Sequence, residues 1–175
     1  GPFAESEKHR ATPVLMKMTM NVLATADALS DQDLLTRLDH LAGRERETGA
    51  AVALDAATLW RDADVPPLLS SFSEAALDAA RDAVAVLPRA LLLEAIPADW
   101  PDRLARLECV ALVADHEALT PEIVKAVRAL GHRVLCYTPN DAARIGELAG
   151  WNVDGIITDA VDHIVADSLP PAPPL

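Results

Sequence analysis

The stretch Gly131-His132-Arg133-Val134-Leu135-Cys136-Tyr137-Thr138-Pro139-Asn140 decides the fold. Its middle is a short apolar run rich in β-favouring residues. A glycine that can stop a helix precedes it, and polar residues close it. Gly155-Ile156-Ile157-Thr158-Asp159 repeats the same plan. A helix stop, an apolar run and a fresh helical pattern together mark the strand-to-helix junction of an α/β protein.

Working outward, similar runs lie at 68–72, 90–94, 109–114, 133–138 and 155–158. Each is followed by a helical pattern with readable ends. Ser73 is placed to cap residues 74–86. Asp99 with Pro101 opens a helix to 107. Thr120-Pro121-Glu122 opens one that Gly131 stops. Asn140 is expected to cap 141–149, with Gly150 as its stop, and Asp159 to cap 160–167. Right-handed crossovers would lay five strands side by side in parallel. The fold class expected is therefore α/β: an open parallel βα segment, about half of a TIM-type barrel, with N-terminal helices covering it. A full barrel takes roughly 250 residues. The pattern here runs only from residue 68 to the end at 175.

Upstream the reading changes. Residues 1–20 read as a tail or added sequence, and 21–62 as a helical segment. Ser30 is a good N-cap, and Leu34, Leu38 and Leu41 recur at helical spacing. A second helical pattern runs over 50–60, with Val52, Leu59 and Trp60 expected in the core. The βα domain spans 63–170, and 171–175 is a proline-rich tail.

Composition narrows the function classes. Hydrophobic residues are 51% of the chain but aromatics only 3%, so the core must be aliphatic. A net charge of −12 argues against nucleic acid and anionic membranes as partners. No apolar run approaches the ~20 residues that span a bilayer. Cys109 and Cys136 both sit in strand-like runs and read as buried thiols rather than as a disulfide or metal pair.

For chemistry, Asp115-His116-Glu117 at the end of the third strand is the best local cluster, since barrel sites gather at that end. Glu94 and Asp159 end other strands. Successive strand residues face opposite sides, so the three cannot all converge. Their simpler reading is as loop and capping residues. No phosphate-cradling glycine loop, nucleophile elbow or Cys-x-x-Cys is present. Ser70 and Ser71 lack an evident base. His40, His132 and His163 read as surface residues, and Trp60, Trp100 and Trp151 as packing anchors.

Four motifs then appear in order: Pro67-Leu68-Leu69-Ser70-Ser71-Phe72, Leu87-Pro88-Arg89-Ala90-Leu91-Leu92-Leu93-Glu94, Tyr137-Thr138-Pro139-Asn140 and Gly150-Trp151-Asn152-Val153-Asp154-Gly155-Ile156-Ile157-Thr158-Asp159. Together they resemble the C-terminal part of the glycerophosphodiester phosphodiesterase family over about residues 49–170, nearest to its cytoplasmic bacterial branch. The resemblance implies a barrel that hydrolyses glycerophosphodiesters, usually with a divalent metal, and a cytoplasmic location. It also implies that Phe72, Leu93, Tyr137, Thr138 and Asn140 line the pocket. The family's catalytic and metal-binding motifs lie mainly in its N-terminal half, and none is placed here. His9-Arg10-Ala11 is read as a chance likeness to the first of them. Residues 29–47 do not look like that family and resemble the helical leader of HNH-endonuclease-associated proteins. A seam between unrelated sequences is therefore expected near Thr48-Gly49.

The expectation is a non-catalytic chimera or barrel fragment with no resident cofactor. Its open sheet would be shielded by a second copy, favouring a homodimer. The alternatives are residual or complemented metal-dependent hydrolysis, and a protein-interaction module using the N-terminal helices.

Overall fold

The computed structural model describes residues 43–164. Helix α1 (Glu45–Leu59) comes first. Then follow β1 (Leu69–Ser71), α2 (Glu74–Ala83), β2 (Arg89–Leu93), α3 (Trp100–Leu107), β3 (Ala111–Asp115), α4 (Pro121–Ala129), β4 (Arg133–Tyr137), α5 (Ala142–Gly150) and β5 (Gly155–Ile157). The five strands form one parallel sheet in chain order, β1 to β5. Every expected strand is present within one or two residues. Ser30 and the leucine stripe at 34–41 lie outside the described residues.

Three of the five described helices start on a side-chain cap; Arg44 before α1 and Asp99 before α3 make none, and α3 opens with Pro101 in its first turn. Ser73 Oγ accepts from the Ala76 N–H, and Thr120 Oγ1 from the Ile123 N–H, at 3.2 and 3.3 Å. Each satisfies one of the amides a helix start leaves orphaned. At α5 the cap is Asp141, whose Oδ1 accepts from the Arg144 N–H at 2.9 Å, and not Asn140. Two ends also differ. Helix α2 stops at Ala83, short of the expected 86. Gly150 closes α5 as an ordinary helical residue, and Asn152 takes the left-handed conformation (φ 66°) two residues on. Asparagine tolerates that region better than most side chains. Gly131 has φ 81° and ends α4 as expected. After Asp159 the described chain makes a turn closed by Ile164 N–H to Ala160 O; the rest of the helix expected over 160–167 lies outside the described residues.

The sheet has two unlike faces. On the helix side Leu91, Leu112, Val134 and Cys136 are fully buried with Leu104, Val127 and Leu148. The opposite face presents Ala90, Ala111 and Val113 at its centre, ringed by half-buried Leu68, Leu92, Leu135, Tyr137 and Ile157. A closed barrel fills that second face with inward layers of side chains.

Helix α1 joins the helical layer. Ala53 and Ala56 bury against Ala80, Leu87 and Leu69, so α1 and α2 together cover the β1 end on its outer side. Of the three residues expected in its core, Val52 is half-buried against this cluster, whereas Leu59 is 75% exposed and Trp60 45%. The buried positions are Gly49, Ala53 and Ala56, a run of small residues at helical spacing. Contact between α1 and α2 is therefore backbone-close, and no large side chain fits between them.

Both thiols are buried, as expected. Burial pushes the Cys109 thiol up to about 11 and the Cys136 thiol up to about 12. Well below pH 9 both are protonated whether folded or unfolded. As pH rises from 9 toward 11 and 12, the unfolded state alone ionises, so this linkage withdraws stability over that window. Alkylation of the native protein at pH 8 is expected to be at least ~100-fold slower than that of a free thiol, since only the thiolate reacts. Mass spectrometry of iodoacetamide-treated protein checks this; rapid double labelling would contradict it.

Candidate functional site at the strand ends

The C-terminal ends of parallel strands carry the exposed loops, and there the inner face becomes polar. Asp115 and Tyr137 are register partners on β3 and β4. Glu94 follows directly after β2. The Tyr137 hydroxyl donates to the Leu93 carbonyl at 3.1 Å. Its ring meets Phe72 edge-on, with centroids 5.9 Å apart and planes at 90°. That is a favoured geometry for an aromatic pair. Phe72 follows β1 and is 60% exposed, so it leans across the mouth from the far side of the sheet. Burial, then the charges of Asp115 and Glu94, hold the Tyr137 phenol above its ordinary value. The mouth is thus an aromatic pair flanked by two carboxylates.

The expected pocket residues divide. Phe72 and Tyr137 come together. The Leu93 side chain is buried in the core under the helices, so it gives the mouth only its carbonyl. Thr138 is half-buried after a cis peptide bond. Asn140 is exposed and holds two strand-end loops together. Its Oδ1 accepts from Thr158 Oγ1 at 2.8 Å and from the Asp159 N–H at 3.0 Å. This clamps the loop after β4 to the loop after β5. Thr158 is a residue that sequence pattern alone does not single out; only its place at a strand end hints at it.

Asp115, His116 and Glu117 do not converge. Asp115 Oδ1 accepts from the Glu117 N–H at 2.8 Å, a local turn that leaves Glu117 exposed. His116 is tied toward α5. Its N–H donates to the Tyr137 carbonyl at 2.8 Å, its carbonyl accepts from Arg144 Nη2, and Arg144 Nε lies 3.4 Å from its Nδ1. Arg144 also stacks on Trp151 at 4.8 Å and pairs with Glu147 at 2.6 Å. Nothing in the sequence spacing singles out Arg144. His163 is exposed, as expected.

A divalent cation wants several oxygen or imidazole donors converging on one point. Among the described residues no group of three or more His, Cys, Asp or Glu is placed to hold a metal ion. Glu94 and Asp115 alone make an incomplete donor set for such an ion. No helix of the described residues is long and apolar enough to cross a membrane.

A curled parallel βα sheet with its polar site at the strand ends defines a piece of a TIM-barrel-like protein. The sequence matches the family model of the Glycerophosphoryl diester phosphodiesterase family over residues 9–163, and the chain belongs to that family. Among solved structures it is similar to a phosphodiesterase from Oleispira antarctica, solved in complex with the product sn-glycerol-3-phosphate. The two share 30% identity, with a TM-score of 0.61 over 68% of this chain and 48% of that one. A glycerophosphodiester phosphodiesterase from Parabacteroides distasonis, at 20% identity and a TM-score of 0.59 over 71% and 50%, supports the fold. The chain thus spans about half the length of these solved relatives. No curated protein matches.

These findings correct the expected seam. The family match runs through Thr48-Gly49 and begins at His9, so it takes in the His9-Arg10 pair set aside as chance. Helix α1 passes unbroken across the same point. Arg46, on its upstream side, pairs with Asp82 of α2 at 3.1 Å, and Gly49 packs on Ala76. Nothing marks the residues upstream of the expected seam as foreign.

Proposed function

We propose that this chain provides one wall of a glycerophosphodiester site and is not a working hydrolase by itself. Phe72 and Tyr137 form an apolar rest for the carbon end of a substrate, and Glu94 and Asp115 face it. Hydrolysis requires the complementary part of the barrel, which brings the remaining donors to the same mouth. The observation that carries this reading is the incomplete acid set at the strand ends among the described residues, in a chain that spans about half the length of its solved relatives. Phosphodiester cleavage builds charge on the phosphoryl oxygens, and two carboxylates alone would repel it. The interaction-module reading rests on the leucine stripe at 34–41, outside the described residues.

The test is hydrolysis of glycerophosphocholine with Mg²⁺ or Ca²⁺. The chain alone is expected at background. Mixed with the part of the Oleispira antarctica phosphodiesterase that it does not match, it is expected to exceed the sum of the separate rates by at least ~10-fold, the least that positioned groups contribute. Turnover by the chain alone, lost in Asp115→Ala or His116→Ala, would overturn the proposal.

A further inference from the structure

Glu94, Asp115 and Tyr137 form a row across the ends of β2, β3 and β4. Leu93 pairs with Ala114, so Glu94 comes level with Asp115, which pairs with Tyr137. Side chains alternate along a strand, and Leu92, Val113 and Leu135 lie with Tyr137 on the sheet face away from the helices. Glu94 and Asp115 continue that face. Neighbouring strands are about 4.8 Å apart, so the two carboxylates stand side by side. Like charges placed directly opposite destabilise a sheet. The Asp115 carboxylate accepts from the Glu117 N–H, and among the described residues neither acid has an ion-pair partner. At the end of the row the Tyr137 ring meets Phe72, which is 60% exposed and keeps a ring face open. Aromatic faces carry the negative side of a quadrupole. The mouth thus joins uncompensated negative charge to an accessible ring.

We infer, resting on the functional reading above, that this mouth takes the alcohol end of the diester as a quaternary ammonium, and so selects cationic glycerophosphodiesters over those with an uncharged polyol head. The kind of cation follows from the groups present. A divalent metal asks for several converging lone-pair donors, which the described residues do not place together. A quaternary ammonium asks for none. It needs ring faces and nearby negative charge, and Phe72, Tyr137, Glu94 and Asp115 supply both. The same carboxylates repel the phosphate and draw in the opposite end of the molecule. They therefore also decide which way round a diester lies.

The test titrates the full chain with choline and with 3,3-dimethylbutan-1-ol, which has the same shape and no charge. Ionic strength is held constant, and the Tyr137 ring protons are followed by NMR. Choline is expected to bind about tenfold more tightly than the alcohol. Phe72→Leu keeps apolar bulk but removes the exposed ring. Asp115→Asn keeps an acceptor for the Glu117 N–H but removes the charge. Each is expected to cut the preference by about threefold or more, and if one variant does not fold the other decides. Equal affinity for the two probes, no binding of choline, or a preference unchanged by substitution overturns the inference. So does displacement of choline by an equal concentration of Mg²⁺, which takes oxygen ligands and would make the mouth a metal site. In the hydrolysis assay above, glycerophosphocholine is run beside glycerophosphoglycerol, whose head is uncharged. A choline preference without hydrolysis of either leaves this inference standing and removes the functional reading. Hydrolysis of both at equal rates, with no choline preference, does the reverse.

Discussion

Asp154→Ala is expected to lower the folding free energy by about 3 kcal/mol, near the low end for breaking a buried charge pair. Asp154 lies just before β5 with its side chain only 5% exposed. Oδ1 accepts from Arg128 Nη1 at 2.7 Å and from Arg133 Nη1 at 2.6 Å. Oδ2 accepts from the Val134 N–H at 2.8 Å. One carboxylate thus ties α4, the start of β4 and the entry to β5. Alanine would leave a buried amide and two guanidinium groups facing a void. Arg133 is 36% exposed and can turn toward water, which keeps the loss below the upper range. Asp154→Asn retains an acceptor for Val134 and is expected to lose roughly half as much. Urea unfolding with an unchanged m-value is the measurement. A loss below about 1 kcal/mol would make this a surface pair and not a tie.

Gly49→Ala is expected to destabilise by about 2 kcal/mol, although alanine is the better helix former by about 1 kcal/mol. A β-carbon on Gly49 would fall on the Ala76 carbonyl oxygen and 2.8 Å from its Cα. Both contacts are backbone, so no side chain can swing away. The two helices would have to part, opening the small-residue seam of Ala53, Ala56 and Ala80. Gly146→Ala is the control with the opposite sign. It sits within α5 with nothing within 4 Å of its β-carbon position and is expected to gain up to about 1 kcal/mol. Thermal melts of the two variants side by side check the pair. Equal effects would remove the close-packing account of α1.

These two residues show where sequence reading works and where it stops. The strands are legible because buried parallel strands are written as unbroken apolar runs between helix stops, as in Arg133–Tyr137. The pattern finds helix α1 only from residue 50, five residues after its start at Glu45, and misses its buried face. Reading weights large apolar residues, and Leu59 and Trp60 are the largest there. The real contact selects for the absence of side chain at Gly49, Ala53 and Ala56, a signal that looks the same as a weakly amphipathic surface helix. Asn140 misleads for a related reason. Asparagine before a helix is usually its cap, but Asp141 stands one residue nearer and takes the role, freeing Asn140 to hold Thr158. At the candidate site, Phe72 and Tyr137 are legible as strand-end residues, whereas their contact across two intervening strands is not. It depends on the curl of the sheet, which no local pattern encodes.

The described residues form an open, five-stranded parallel sheet with edges at β1 and β5. Hydrogen exchange resolved to single amides in the chain alone is the decisive measurement. Slow exchange is expected along all of β2, β3 and β4, with alternation at the edges: Leu69, Ser71 and Ile156 slow, Ser70, Gly155 and Ile157 fast. Continuous protection through both edge strands would mean that the sheet is already closed, and would contradict it.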